Sequence, residues 1–312
     1  MDSNIKTLKT QQLASATWMV AIAALLAALF HWNGNTSDIP LFGHSVFRWM
    51  VIRWGDLGQQ FSYAWLVPPV SAWLVWRQRQ ALLDAPVRID WRGLCGVVAF
   101  LVLHLLGARL QQPRLSLVAF AGLLWTMPWY RFGPAVARRL AFPCAYLLFC
   151  VPLTFLDTWS FPLRLFAASA SALLLNGMGI ATLQVGTALV SARPDGFRLE
   201  VADPCSGLGY LLSLLALGAL MAAITQPTRW RQWILFAASI PVAVMANMVR
   251  ILVIALCAHM LNPALAAGLY HYASGYVVYI TAVLLLLAAG RILETPWHTR
   301  WNQWKSAHKP RT

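Results

Sequence analysis

Apolar residues gather in long runs separated by short polar connections, at 13–31, 61–76, 94–106, 115–129, 140–156, 206–224, 233–260 and 276–289. Runs of this length leave no polar face for water, so each predicts a helix across a bilayer. The chain reads as an all-α polytopic membrane protein with about eight transmembrane helices. Several runs are shorter than the ~20 residues that cross a bilayer upright, and their ends should extend into flanking Trp, Tyr and Gly. Residues 157–180 tempt a ninth assignment. Their Asp157, Trp159, Pro162, Arg164 and Asn176 fit better with an interfacial helix on the outer leaflet or a shallow re-entrant hairpin buried by protein. A true span there would flip every later side. Alternation of the strand kind occurs at 187–191 and 197–201, around Arg193-Pro194-Asp195-Gly196, and predicts a small extracytoplasmic β-hairpin.

Composition agrees with this pattern. Of 312 residues, 59% are hydrophobic and only 11% charged, which no water-soluble fold requires. A net charge of +14 would suggest nucleic acid in a soluble protein, but here the basic residues sit in the connections, so the partner they imply is the lipid bilayer. With the N-terminus inside, sixteen fall on the cytoplasmic side: Lys6, Lys9, Arg77, Arg79, Arg88, Arg92, Arg131, Arg138, Arg139, Arg229, Arg231, Arg291, Arg300, Lys305, Lys309 and Arg311. Seven fall opposite: Arg48, Arg53, Arg109, Arg114, Arg164, Arg193 and Arg198. Both termini are therefore expected in the cytoplasm. The start of the chain resembles a secretory signal but lacks a clear small-x-small cleavage site, so an uncleaved first helix is expected. The whole, 1–312, reads as one membrane domain: a cytoplasmic N-terminus at 1–12, an extracytoplasmic segment and hairpin at 157–204, and a basic cytoplasmic tail at 291–312, whose Trp297, Trp301 and Trp304 suit an interfacial anchor.

Arg250 is the one basic residue inside a run, and a charge at that depth is expensive unless it has a function. Asn247 precedes it by three positions and so shares its helix face, a polar patch where a polypeptide backbone or an oxyanion could be held. At the head of the run 206–224 stand Asp203-Pro204-Cys205-Ser206-Gly207. Asp at an N-cap with Pro following predicts a helix start that puts Cys205 in the first turn. There the helix dipole and free backbone donors would favour a thiolate, while Asp203 works against it unless capping or Arg250 consumes its charge. A neutral imidazole is available as a base from His271, in a connection with no Lys, Arg, Asp or Glu, or from His259, nine residues beyond Arg250. The five cysteines and seven histidines show no metal-ligand spacing, so neither metal nor cofactor is expected.

These residues together resemble the exosortase and archaeosortase family of membrane transpeptidases. The likeness runs through Phe61-Ser-Tyr-Ala-Trp-Leu-Val-Pro with Arg77, Phe149-Cys-Val-Pro-Leu, Val201-Ala-Asp-Pro-Cys-Ser-Gly, Asn247-Met-Val-Arg250, and His271 with Gly275 four positions on. Each motif is weak alone, and their order makes the set specific. The resemblance implies that Cys205, Arg250 and His271, not His259, are catalytic, and a histidine at the third position points to the bacterial branch. It also implies a bacterial inner-membrane enzyme facing the periplasm. Such an enzyme cleaves membrane-anchored proteins that carry a C-terminal sorting signal, a Pro-Glu-Pro-type motif followed by a transmembrane helix and a basic tail, and passes the product to an acceptor nucleophile. Asp203, Ser206, Gly207, Asn247 and Gly275 would support substrate binding. One feature departs from the family pattern, since Tyr272, not an acid, follows His271, and no fused periplasmic domain of the kind a subset of relatives carries is expected after the last run. Other readings are a membrane thiol acyltransferase of exopolysaccharide or surface assembly, and a transporter whose Arg250 binds an anion.

Overall fold

The computed structural model describes residues 2–56, 58–152, 156–193, 196–200, 208–260 and 269–294, with side chains except at 2–13, 56, 58–60, 156–160, 200, 208–210, 269–274 and 277–278. The chain divides into two compact units, Met1–Thr154 and Phe155–Thr312.

The first unit is helical: α1 (Asp2–Asn33), α2 (Ile39–Phe42), α3 (Val46–Asp56), a 3-10 stretch (Gly58–Leu66), α4 (Val67–Arg77), α5 (Arg79–Leu83), α6 (Trp91–Arg109), α7 (Pro113–Phe132) and α8 (Pro134–Tyr146). The run 61–76 is thus not one α-helix. Pro68 and Pro69 have no N–H to offer the carbonyls a turn upstream, so the α-ladder begins at Val67 and the preceding turns tighten to 3-10.

The helices α6 and α7 pair most closely, and glycine is the reason. A Cβ at Gly93 would overlap the Tyr130 backbone, one at Gly96 would lie 2.6 Å from Thr126 Cγ2, and one at Gly122 would overlap the Phe100 ring. Without side chains at these points the backbones approach, and dispersion replaces the hydrophobic drive that lipid cannot supply. Asp90 caps α6, accepting from the Arg92 N–H at 3.0 Å and from Trp129 Nε1 at 3.0 Å. The indole bond first, then the backbone bond, hold its carboxyl below the usual carboxylate range. Gly133, at φ 91, ends α7 by donating to the Trp129 carbonyl, and Pro134 opens α8.

The second unit contains α9 (Leu156–Gly177), three short strands, α10 (Leu208–Thr225), α11 (Arg229–Met260) and α12 (Leu269–Glu294). In place of the re-entrant hairpin that was one form expected for 157–180, the chain forms an unbroken helix through Gly177. The strands are β1 (Thr182–Val185), β2 (Ala188–Ser191) and β3 (Arg198–Glu200), antiparallel in that order, with Leu189 opposite Leu199. The alternation at 187–191 and 197–201 marks β2 and β3. The first strand was not anticipated, because Gly179 and Gly186, both at positive φ, hide a four-residue strand between turn signals. Pro194 and Asp195 of the expected turn lie outside the described residues.

Among the described residues three helical stretches are long and apolar enough to cross a membrane, Ala14–Asn33, Trp91–Arg109 and Arg229–Met260, with Leu211–Thr225 a shorter apolar helix. Of the other expected crossings, 276–289 lies within α12 and 115–129 within α7, while 61–76 joins a 3-10 stretch to α4 and 140–156 begins in the last turns of α8.

Candidate functional site

Helix α11 is the spine of the second unit and packs against α9, α10 and α12. Its two halves serve different cores. Leu235, Val242, Ala243 and Ala246 pack with Leu214 and Ala222 of α10 and Ala282 and Leu286 of α12. Ile251, Ile254, Ala255 and Ala258 pack with Ala167, Ala168, Ala172 and Leu175 of α9, with Leu189 of β2 and with Phe197 just before β3. Asn247 and Arg250 lie at the seam between these cores, one turn apart on the buried face of the helix, 6% and 2% exposed. A guanidinium this deep in a span carries a desolvation penalty of several kcal/mol. Asn247 Oδ1 is buried and accepts no hydrogen bond among the described residues.

The registers of the neighbouring helices fix what lies level with Arg250. On α12, Gly290 lies 3.7 Å, measured from an ideal Cβ, from Leu235, and Ala282 shares a core with Ala243. Continued antiparallel at ~1.5 Å per residue, that register brings Gly275 level with Arg250, and the His271 backbone about 6 Å farther along the axis. On α10, Gly218 lies so close to Ser239 that a Cβ would overlap its side chain, and Leu214 packs with Ala243 and Ala246. The same continuation brings Arg250 level with the N-terminal end of α10 at Leu208.

At the opposite end Gln226, 3% exposed, braces the bundle. Its Nε2 donates to the Gly290 carbonyl at 3.4 Å and to Glu294 Oε1 at 3.3 Å, while its own carbonyl accepts from Gln232 Nε2 at 2.9 Å. Sequence alone passes over Gln226, whose signal is an amide beside Pro227 in a three-residue connection.

The expected site residues fare unequally. Arg250 and Asn247 are together, as their spacing requires. Gly275 is in α12, partly buried. The His271 backbone is helical, in the first turn of α12, and its side chain lies outside the described residues. Asp203, Cys205, Ser206 and Gly207 lie outside them altogether, so the expected placement of Cys205 in a helical first turn does too. The rival His259 lies nine residues past Arg250, about two and a half turns, and therefore projects from the opposite side of α11. Of the other thiols, Cys144 and Cys150 are buried in the first unit, Cys95 is exposed on α6 and Cys257 half-buried on α11. No cluster of three or more His, Cys, Asp or Glu suited to a metal occurs among the described residues.

No curated protein and no solved structure matches the chain. The family model of the transmembrane exosortase matches residues 49–288, which takes in Arg250, the stretch containing Cys205, and His271. That match covers most of the 312 residues and runs through both compact units, and on it the chain belongs to the transmembrane exosortase family.

Proposed function

We propose that this exosortase is a membrane-embedded cysteine transpeptidase that cuts C-terminal sorting signals, a Pro-Glu-Pro-type motif followed by a transmembrane helix and a basic tail, at the periplasmic face of the bacterial inner membrane. The observation that carries the reading is the convergence on one level of α11: Arg250 buried at the seam, the start of α10 beside it, and the first turns of α12 opposite. Only two residues, Ser206 and Gly207, separate Cys205 from Leu208, three Cα steps with a reach of at most ~11 Å. His271, in the first turn of α12, lies about one helical turn beyond the level of Arg250. These placements support a reading in which the three groups act on one scissile bond.

In this mechanism the Cys205 thiolate attacks the scissile carbonyl carbon, and the carbonyl π-electrons move to oxygen. Arg250 stabilises that oxyanion, where a fixed guanidinium in a low-dielectric site needs no reorganisation. Collapse re-forms the carbonyl, breaks the C–N bond and leaves a thioacyl-enzyme, while the His271 imidazolium donates a proton to the departing amine. Neutral His271 then takes a proton from the incoming amine or water, which attacks the thioester and releases Cys205 as thiolate. Asp203, Ser206, Gly207 and Gly275 would shape the backbone around these groups. A membrane thiol acyltransferase would share the cysteine and differ in its donor.

The test is processing of a tagged protein carrying such a tail, co-expressed with wild type or with Cys205→Ala. The wild type should shorten the precursor and Cys205→Ala, at equal protein level, should leave it intact. Normal shortening by Cys205→Ala would discard the mechanism. A mass spectrum of the product separates hydrolysis, a free carboxyl, from transfer, an attached acceptor.

A further inference from the structure

Asn247 carries an unmet acceptor in the place where an unmet acceptor is most costly. It is 6% exposed and stands at the seam of the two cores on α11, and its Oδ1 accepts no hydrogen bond among the described residues. An unsatisfied buried amide oxygen costs roughly 1–3 kcal/mol, and leucine, of nearly the same shape, would remove that cost. A polar residue held there against that gradient is explained by a donor that arrives later. The unfilled valence is an acceptor, so it does not itself bind an oxyanion. What it can take is an N–H.

We infer that Asn247 Oδ1 accepts a main-chain N–H of the extended substrate segment next to the scissile bond, one helical turn from the guanidinium that faces the developing oxyanion. The inference rests on the proposed reading of the site, and it divides labour on one helix face: Asn247 binds the substrate backbone and Arg250 acts on the reacting carbonyl. Because the contact is to the main chain, it serves substrates whose side chains differ. It also accounts for an amide at this position in a helix face otherwise filled by Ala243, Ala246 and Ile251.

Binding is measured separately from cutting. The full-length Cys205→Ala protein in nanodiscs is titrated with a fluorescent synthetic peptide that carries Pro-Glu-Pro, a transmembrane segment and a basic tail. Adding Asn247→Leu should weaken binding roughly tenfold, the size of one lost hydrogen bond, while the thermal midpoint stays level or rises. A second peptide series replaces one backbone amide at a time by an ester. One position should cost roughly tenfold against Cys205→Ala alone and nothing once Asn247→Leu is added. Unchanged binding on adding Asn247→Leu, equal ester sensitivity in both proteins, absent binding to Cys205→Ala, or a midpoint that falls in step with affinity would each overturn the inference. Absence of cutting by wild type beside intact, Asn247-dependent binding would instead count against the transpeptidase mechanism alone.

Discussion

Arg250 shows how a single residue can be read from one dimension. Its position in an apolar run made it anomalous in sequence, and its 2% exposure makes the anomaly physical. A snorkelling arginine would extend along α11 to the interface and remain exposed. Arg250 instead lies on the face that both cores bury. Its chemistry sets a prediction. Lysine keeps the charge but lacks the planar fork that can hold an oxyanion with two N–H groups, and its compact ammonium is harder to desolvate. Arg250→Lys should therefore lower the rate of precursor shortening by about 10²-fold, with Asn247-dependent peptide binding retained. A rate within threefold of wild type would show that charge alone suffices. The residues around Cys205 were legible only as an order of motifs. Spacing along the chain left His259 and His271 as alternatives, and the helical phase of α11, which turns His259 to the side away from Arg250, supports His271.

At the scale of elements, the long runs were legible because lipid imposes one rule on them: every backbone group must bond within its own helix. What was not legible was how closely the helices pack, since glycine reads in sequence as a breaker and acts here as a contact. The α6–α7 pair makes the distinction measurable. A Gly→Ala change within a helix gains roughly 0.5–1 kcal/mol from backbone entropy, and an overlapping Cβ costs roughly 1–3 kcal/mol. Gly55 in α3 has nothing within 4 Å, so Gly55→Ala should leave the thermal midpoint level or raise it. Gly122→Ala meets a ring that can turn aside at some cost. Gly93→Ala meets the Tyr130 backbone, which cannot turn, and should lower the midpoint most. An equal effect at all three positions, measured by thermal unfolding in detergent, would mean that α6 and α7 do not pack this closely in the membrane. The split of 61–76 into a 3-10 stretch and α4 belongs to the same scale: its cause, Pro68 and Pro69, was visible, but hydropathy alone does not register a missing N–H.

For the whole molecule the open quantity is sidedness. Counting basic residues over all connections gives sixteen against seven, but that count depends on whether 157–180 crosses, since each crossing inverts the side of every later connection. The second unit supplies an argument free of that dependence. Its brace joins Gln226 to Gly290 and Glu294, so one end of the α10–α12 bundle gathers Arg229, Arg231 and Arg291. Between Arg250 and Gly275, which span the opposite end, there is no other Lys or Arg. Positively charged residues near span ends are retained inside, so the braced end should be cytoplasmic and the Arg250 end periplasmic whatever α9 does. That orientation matters chemically, because a target whose basic tail stays in the cytoplasm offers its scissile motif only on the far side. Single cysteines introduced into a variant lacking the five native ones test it, using Trp230 and Met260, which are 57% and 76% exposed at the two ends of α11. In intact spheroplasts a membrane-impermeant maleimide should label Met260→Cys and reach Trp230→Cys only after permeabilisation. The reverse pattern would turn the Arg250 end toward the cytoplasm, where such a tail could not present its motif, and the sorting-signal mechanism would fall with it.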